Sequence, residues 1–351
     1  MNSIQESYKT LPTHLNHIIP LDFKGVLRLP ESHAWSQSND YPSINSESIP
    51  VIDLANPKAI ELVRHASEKW GMFQITNHGI PVHLIQQVEH QTRRLFALPA
   101  KQKLQALRSP DGFTGYGLAR IGRLFPKLMW SEGFSVIGSP EGHARQLWPH
   151  DYNNFCDVME EYQKEMKGLS EWMIGLMLNS LGLAHEEVKW FMSKFKHSQS
   201  ALQLNSYPVC PDPTHAMGLA PHTDSSLMTL VHQSNTDGLQ VLRDKVAWVN
   251  VPPVTGAFVV NVGDLLHIIS NGRFKNALHR AVVNNAQHRV SIAYFYGPPK
   301  DVKISPLIKL TDPDHPPLYR PVLWKDYLDA KAICFHKALD LIRIDANREL
   351  P

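Results

Sequence analysis

The chain has 351 residues, of which 43% are hydrophobic and 19% are charged, with a formal net charge of +2 at pH 7. This composition is typical of a folded globular protein and excludes a disordered or collagen-like chain. The near-neutral charge argues against a nucleic-acid partner. The three cysteines are scattered along the chain, which argues against a disulfide framework and fits a reducing compartment. No apolar run reaches the roughly 20 residues that a membrane span requires. The sequence therefore predicts a cytoplasmic protein with no membrane contact.

The N-terminal part of the sequence predicts short strands alternating with amphipathic helices. Residues 1–48 are polar and interrupted by prolines, which predicts an extended or loosely packed leader. Glycine and aromatic residues are concentrated at 112–142, which predicts a loop region over a site. Between these two regions, apolar spacing and turn residues predict a strand at 49–54, a helix at 57–70, a strand at 71–75, a turn at 77–79 and a helix at 81–96.

The C-terminal part predicts one long helix followed by many strands. Residues 153–183 have helical apolar spacing. Beyond residue 201, short apolar runs separated by glycine, proline and asparagine predict an antiparallel barrel or jelly roll. These runs are 201–204, 227–231, 239–242, 257–262, 280–284 and 290–296, and helical spacing returns at 324–342. The predicted regions are therefore a polar leader at 1–48, a mostly helical N-terminal region at 49–200, a jelly-roll core at 201–300 and a C-terminal helical segment at 301–351.

His222, Thr223 and Asp224 form the only H-x-D motif in the chain. On an extended segment, positions i and i+2 point to the same side, so an imidazole and a carboxylate can bind one ion. With His279 as a third ligand, one face of the ion stays open, as in non-haem Fe(II) oxygenases and unlike closed zinc sites. Taken singly, the motif arises by chance in many proteins, and His279 alone would be assigned to packing.

Arg289, Val290 and Ser291 form the only R-x-S motif, at the start of a predicted strand. The guanidinium of arginine matches a carboxylate with two parallel hydrogen bonds, and a serine on the same face adds a donor. This pair fits the distal carboxylate of 2-oxoglutarate. A structural salt bridge with a solvent-facing serine is the alternative when the pair is taken without the H-x-D motif.

In order and spacing, these motifs resemble the plant 2-oxoglutarate-dependent dioxygenase family over most of the chain. The matching stretches are 49–79, 205–210, 218–224, 278–280 and 289–291. The resemblance implies an α+β fold, with a double-stranded β-helix core (a cupin-like jelly roll), flanking helices and an N-terminal α/β region. It also implies Fe(II), 2-oxoglutarate and O2 as cofactor and cosubstrates, with ascorbate supporting activity. The residues carried over are His222, Asp224 and His279 as iron ligands, and Arg289, Ser291, Tyr207 and Asn205 around 2-oxoglutarate.

Further stretches outside these motifs resemble gibberellin 3-oxidases within that family. They are 115–120, 127–134, 145–149, 200–213 and 261–271. The resemblance implies 3-beta-hydroxylation of gibberellin precursors to active plant hormones. Such ligands are compact apolar carboxylates that need an apolar pocket and a cation. The candidate cations are Arg120, Arg123 and Lys127, and the candidate walls are Tyr116, Met129, Trp130 and Phe134; a solvated basic face over packing aromatics is the structural alternative.

Two other functions are compatible with the sequence. The same chemistry on another substrate or position would make the chain a gibberellin 2- or 20-oxidase or a flavonoid dioxygenase. A non-enzymatic jelly-roll binding protein is the second alternative, although such a protein has little use for an intact set of open-face metal ligands. In each case we expect a small-molecule ligand and a monomer.

Overall fold

The computed structural model describes residues 18–36, 41–44, 47–110, 112–195 and 197–344. Residues 1–17 of the predicted leader lie outside this part of the chain. The strands are β1 (Ser43–Ile44), β2 (Val51–Asp53), β3 (Met72–Thr76), β4 (Gly115–Gly117), β5 (Glu132–Val136), β6 (Gln199–Tyr207), β7 (Leu219–His222), β8 (Met228–Gln233), β9 (Leu239–Arg243), β10 (Ala247–Asn250), β11 (Phe258–Val262), β12 (His279–Ala281), β13 (Arg289–Gly297), β14 (Lys303–Ile304) and β15 (Val322–Leu323).

Helices lie before, within and after the run of strands. They are α1 (Ala59–Lys69), α2 (Val82–Ala97), α3 (Ala100–Lys103), α4 (Glu141–Leu147), α5 (Asn153–Ser180), α6 (His185–Ser193), α7 (Asp264–Ile269), α8 (Trp324–Cys334) and α9 (Ala338–Ile342). Among the described helices, none combines the length and the apolar character that crossing a membrane requires.

Two sheets form the body of the molecule. The smaller has the strand order β1-β10-β9-β12-β7, and the larger has the order β2-β3-β11-β8-β13-β6-β5-β4. Neighbours among β6 to β13 are antiparallel, and except for the hairpin β9–β10 they are not consecutive in the sequence. This arrangement confirms the predicted jelly-roll core with flanking helices.

The two-residue period of β13 separates the hydrophobic core from an internal cavity. Ile292, Tyr294 and Tyr296 are buried in the main core. The alternate positions, including Arg289 and Ser291, line the cavity. Successive side chains of a strand point to opposite faces, so one strand supplies both the core and the polar wall.

The long helix α5 covers the core face of the larger sheet. Its buried residues recur every three or four positions, as expected for one face of a helix. They include Met159, Tyr162, Met166, Leu169 and Met173. Each fully buried side chain of this size stabilises the fold by about 1.5 to 3 kcal/mol, so the helix anchors the sheet whose other face carries the site.

The segment 112–142 differs from the prediction of a loop over a site. It contains β4 and β5, which extend the larger sheet beyond β6. The first of these strands was not predicted, because it contains Gly115 and Gly117 and glycine is generally depleted in strands. Parts of the segment do line the cavity, namely residues 113–114, the 3-10 helix Arg120–Leu124, and Ser135, Ile137 and Gly138 around the end of β5.

The described part of the predicted leader is largely exposed or half-buried, but a few of its residues pack against the fold. The Ile18 side chain is fully buried, and the Phe23 ring contacts the Trp130 ring edge-to-face with centroids 4.8 Å apart. Trp35 donates a hydrogen bond from Nε1 to the Leu128 carbonyl (2.9 Å). A few apolar anchors therefore attach a largely polar stretch, a feature that average composition does not reveal.

Gly263 provides a test of how tightly the sheets are joined next to the site. A Cβ atom there would lie 2.1 Å from the Ser226 carbonyl oxygen, in the turn that follows Asp224. We expect Gly263→Ala to destabilise the protein by about 1 to 3 kcal/mol through overpacking. Gly168→Ala, in helix α5 with open space around it, should instead stabilise by about 0.5 to 1 kcal/mol. Urea unfolding measures both, and equal effects would contradict the close approach.

Candidate metal centre

His222, Asp224 and His279 converge at one end of the smaller sheet. His222 ends β7 and His279 begins β12, and the two are paired in register. The Asp224 Oδ1 atom lies 3.7 Å from His222 Nε2 and 3.9 Å from His279 Nε2. One potential ligand atom from each residue lies within 4.8 Å of those of the other two residues. The structure thus brings together the three residues predicted to bind metal.

Both imidazoles are held in the same tautomer. His222 Nδ1 donates to the Ala220 carbonyl (2.8 Å), and His279 Nδ1 donates to the Ala277 carbonyl (2.9 Å). A carbonyl can only accept, so the Nε2 lone pair of each ring is free to face the centre. Burial, together with the neighbouring His279, lowers the pKa of His222 to about 4. The His222 ring is therefore neutral at physiological pH, as a metal ligand must be.

The Asp224 carboxylate is ionised despite being only 4% exposed. Burial acts to raise its pKa, but the two histidines and hydrogen bonds from Thr229 and Asn261 outweigh burial, and the pKa is lowered. The Asn261 amide donates to Asp224 Oδ2 at 3.2 Å, which leaves Oδ1 directed toward the two histidines. Two imidazole nitrogens and one carboxylate suit Fe(II) with open coordination positions.

A second group of polar residues lies on the larger sheet. Arg289 pairs with Tyr207, and Ser291 pairs with Asn205, across β13 and β6. Because the members of each strand are two residues apart, all four share one face. The Arg289 guanidinium lies 5.0 Å from the centroid of the Tyr207 ring, and Asn205 donates to the Ser291 hydroxyl at 3.4 Å.

The Arg289 guanidinium is suited to bind a carboxylate. It is 2% exposed, and Nη2 donates to Gln233 Oε1 (2.9 Å). Within the described part of the chain its Nε atom has no hydrogen-bond partner. Burial lowers its pKa, and Tyr207 and Asp237 oppose that shift. An unpaired buried donor is costly, and a bidentate carboxylate is the partner that best satisfies it. The residues present therefore fit both Fe(II) and 2-oxoglutarate.

A cavity of about 1030 Å³ contains both groups of residues. Its polar end is formed by the histidine–aspartate cluster and Arg289. Its mouth is formed by segments outside the barrel, including Phe113, Arg120, Leu124, Leu328 and Phe335. This volume lies at the upper end of the range for small-molecule sites, so there is room for a cosubstrate and a larger ligand together.

Only two of the seven residues predicted to bind substrate line this cavity, namely Arg120 and Arg123. The predicted cation Lys127 donates instead to the Glu31 carbonyl (2.8 Å). The Tyr116 hydroxyl donates to the Glu132 carboxylate, and the Trp130 indole donates to the Pro208 carbonyl. These three residues serve the packing of the segment rather than the cavity.

Phe134 and Met129 are likewise buried away from the cavity, and this corrects the prediction that they form its walls. The reason for Phe134 is the strand period: it lies on β5 with its ring in the main core, against Phe155. The neighbouring positions Ser135 and Ile137 line the cavity instead. Large aromatic residues were predicted as the cavity walls, whereas smaller side chains on this segment line the cavity.

Two residues that position the site were not predicted from the sequence. Gln233 orients Arg289, and Asn261 orients Asp224. Asn261 lies within the stretch 261–271 that resembles gibberellin 3-oxidases, which was the available signal. Gln233 ends β8, and nothing in its local sequence indicates that Arg289 lies beside it.

Comparisons with known proteins agree with this geometry. A family model described as the 2OG-Fe(II) oxygenase superfamily matches residues 198–298. A second, described as the N-terminal region of non-haem dioxygenase in morphine synthesis, matches residues 49–156. Gibberellin 3-beta-dioxygenase 1 of Pisum sativum is 50% identical, covering 98% of this chain and 94% of its own. Gibberellin 3-beta-dioxygenase 3 of Arabidopsis thaliana is 51% identical, covering 98% of this chain and 100% of its own.

Solved structures resemble this chain over most of its length. The crystal structure of JOX2 in complex with 2OG, Fe and JA has a TM-score of 0.77 and 32% identity, covering 87% of this chain and 90% of its own. The dioxygenase for auxin oxidation in rice has a TM-score of 0.70 and 28% identity, covering 84% of this chain and 100% of its own.

Removing the central carboxylate should abolish metal binding. We expect Asp224→Ala to weaken Fe(II) affinity by at least about 100-fold, because the two imidazoles that remain supply no negative charge to offset that of the ion. The matched control is Asp312→Ala, an exposed carboxylate that also contacts a histidine, His315, and it should bind Fe(II) like the parent. Anaerobic calorimetry measures both; equal affinities would place the metal elsewhere.

Proposed function

The chain belongs to the 2OG-Fe(II) oxygenase superfamily, and from this premise we propose that it is a gibberellin 3-beta-dioxygenase. The observation that carries the proposal is identity of about half of all residues, over nearly the whole chain, to gibberellin 3-beta-dioxygenases from two plants. The reaction is hydroxylation of a gibberellin precursor at the 3β position, a step in plant hormone biosynthesis.

His222, Asp224 and His279 would hold Fe(II) through two imidazole Nε2 atoms and one carboxylate oxygen. When bound, Fe(II) supplies the oxidation of a C–H bond by O2, coupled to conversion of 2-oxoglutarate to succinate and carbon dioxide. Hydrogen bonds from Nδ1 to backbone carbonyls orient both imidazoles with Nε2 toward the metal position. Those bonds also fix the ring planes, so the ligands need little rearrangement when the ion arrives.

Arg289 would bind the distal carboxylate of 2-oxoglutarate, with Ser291 and Tyr207 as further donors. The Nε atom of Arg289, without a partner among the described residues, supplies one of two parallel hydrogen bonds to that carboxylate. Asn205 orients the Ser291 hydroxyl. Burial of the guanidinium keeps water away from this contact, which strengthens it.

The remainder of the cavity suits a compact apolar acid. Its middle is lined by apolar side chains from both sheets, including Ala201, Val231, Leu239, Ala293 and Phe295. Arg120 and Arg123 lie toward its mouth. Burial and the positive charges of Arg120 and Arg123 together lower the pKa of Arg108 to about 10, so positive charge from Arg120 and Arg123 acts on this part of the protein.

That charge suggests how the substrate is oriented. A carboxylate held by Arg120 or Arg123 at the mouth would leave the apolar ring system to enter the cavity and place one C–H bond next to the metal. Regiochemistry then depends on the distance between the anchor and the metal, because the oxidation takes whichever hydrogen lies within reach.

The non-enzymatic alternative does not hold, because the family is one of oxygenases and the metal and cosubstrate residues are all present. Oxidation at another gibberellin position, or of a flavonoid, uses the same residues and is distinguished by the product. A cytoplasmic location, a monomeric state and the absence of nucleic-acid and membrane partners stay predictions from the sequence.

The proposal predicts a 3β-hydroxylated product formed one-for-one with succinate. Purified protein would be given Fe(II), 2-oxoglutarate, ascorbate and a panel of gibberellin precursors, with products identified by mass spectrometry. His222→Ala should lose both products, and the matched control His315→Ala, an exposed histidine, should keep them. Hydroxylation at a different carbon would retain the chemistry and reject the assigned position; succinate without any hydroxylated gibberellin would reject the hormone.

The two cavity arginines should affect substrate more than cosubstrate. We expect Arg120→Met or Arg123→Met to raise KM for the gibberellin about tenfold or more, because a charge-assisted hydrogen bond contributes about 1.5 to 3 kcal/mol. KM for 2-oxoglutarate should not change. Lys127→Met is the control, since its ammonium lies outside the cavity lining. Steady-state kinetics with both variants at parental KM would show that the carboxylate is bound elsewhere.

A further inference from the structure

Asp264 is a buried carboxylate that the proposed chemistry does not use. It is the first residue of α7 and is 0% exposed. Its Oδ2 atom accepts hydrogen bonds from Lys331 Nζ (2.5 Å) and the Tyr327 hydroxyl (2.7 Å), and Oδ1 accepts from Asn276 Nδ2 (2.7 Å). Lys331 and Tyr327 both belong to helix α8, outside the two sheets.

The Lys331 ammonium also reaches the metal-binding segment. Its Nζ atom donates to the Thr223 hydroxyl at 2.6 Å. Thr223 lies between the ligands His222 and Asp224. The backbone N–H of Asp264 adds a bond to the Asp224 carbonyl (2.8 Å). Two short contacts therefore join the Asp264–Lys331 pair to the segment that carries two of the three ligands.

This segment needs support from outside its strand. β7 ends at His222, so Asp224 lies beyond the strand and its regular ladder of backbone hydrogen bonds. Asn276 contacts Asp264 from the segment leading to the third ligand, His279. Asp264 thus contacts both segments that carry metal ligands, one through its carboxylate and the other through its backbone N–H.

We propose that Lys331 is a positioning residue for the metal centre, acting through the Thr223 hydroxyl. Held by Asp264, the ammonium fixes Thr223 and so sets the relative positions of His222 and Asp224. Helix α8 then contributes to metal affinity although it supplies no ligand. The inference rests on the proposed function in one respect, namely that Fe(II) binds at His222, Asp224 and His279.

Stability alone gives little reason for this buried pair. Removing two charges from water costs several kcal/mol per ion, and well-packed apolar residues of similar volume often stabilise a fold equally well. What an apolar pair cannot provide is a directed hydrogen bond to Thr223. The charged pair is therefore better explained by the placement of that hydroxyl than by the stability of helix α8.

The test separates the hydroxyl contact from the ion pair. Thr223→Val removes the hydroxyl but leaves Lys331 paired with Asp264, so the melting temperature of the metal-free protein should stay close to the parent. Thr223→Ser keeps the hydroxyl and is the conservative control. Lys331→Met removes the ammonium, and Lys325→Met, an exposed lysine on the same helix, is its matched control. Anaerobic Fe(II) titration by calorimetry and thermal unfolding of the metal-free protein are measured for each.

We expect Thr223→Val to weaken Fe(II) affinity about tenfold, as is usual when a group that orients a ligand is lost. Thr223→Ser and Lys325→Met should bind like the parent. Lys331→Met should weaken binding at least as much as Thr223→Val, and adding Thr223→Val to it should cost little more, because both changes remove one contact.

Parental affinity in Thr223→Val would overturn the proposal, and so would equal losses in Thr223→Val and Thr223→Ser. If Lys331→Met fails to fold because Asp264 is left unpaired, the two Thr223 variants still decide. Failure of the parent protein itself to bind Fe(II) would reject the proposed function together with this inference, whereas parental binding with unaffected variants rejects the inference alone.

Discussion

The alternation of side chains along β6 and β13 is the constraint on which the site depends. One face of these strands must be apolar to pack beneath helix α5, and the other face is then available for polar residues. A shift of one residue in the pairing of β13 would bring Arg289 and Ser291 into the hydrophobic core. The register that stabilises the fold is therefore the same register that assembles the cosubstrate pocket.

Buried charge is the cost of this arrangement, and each charge is held by a specific partner. Asp224 is held by Asn261 and the two histidines, Asp264 by Lys331, and Arg289 by Gln233 on one side of its guanidinium. The guanidinium keeps one donor, Nε, without a partner among the described residues, and Arg289 lines the cavity in which an anionic cosubstrate fits. Other buried polar atoms also lack a partner among the described residues, such as the Tyr162 hydroxyl and the Ser170 hydroxyl, but at Arg289 the binding of a carboxylate would supply the missing group.

Motifs formed by residues close together in the sequence were predictable, and contacts between residues far apart in the sequence were not. His222 with Asp224, and Arg289 with Ser291, are pairs separated by two positions, so the strand period alone predicts that they share a face. The contact between Lys331 and Thr223 spans 108 residues, and no local pattern encodes it. The prediction that aromatic residues form the cavity wall was wrong for a related reason. The environment of Phe134 depends on how β5 pairs with β6, and that pairing cannot be read from the local sequence.

The place of Lys331 in the chain has a consequence for the order in which the protein matures. Lys331 follows every strand of both sheets in the described chain, and synthesis proceeds from the N-terminal end, with segments folding as they emerge. The segments that carry His222, Asp224 and His279 are therefore synthesised before helix α8, which carries the Lys331 ammonium. If Lys331 positions the metal ligands as proposed, affinity for iron rises about tenfold when helix α8 docks, at the same stage at which that helix completes the wall of the cavity.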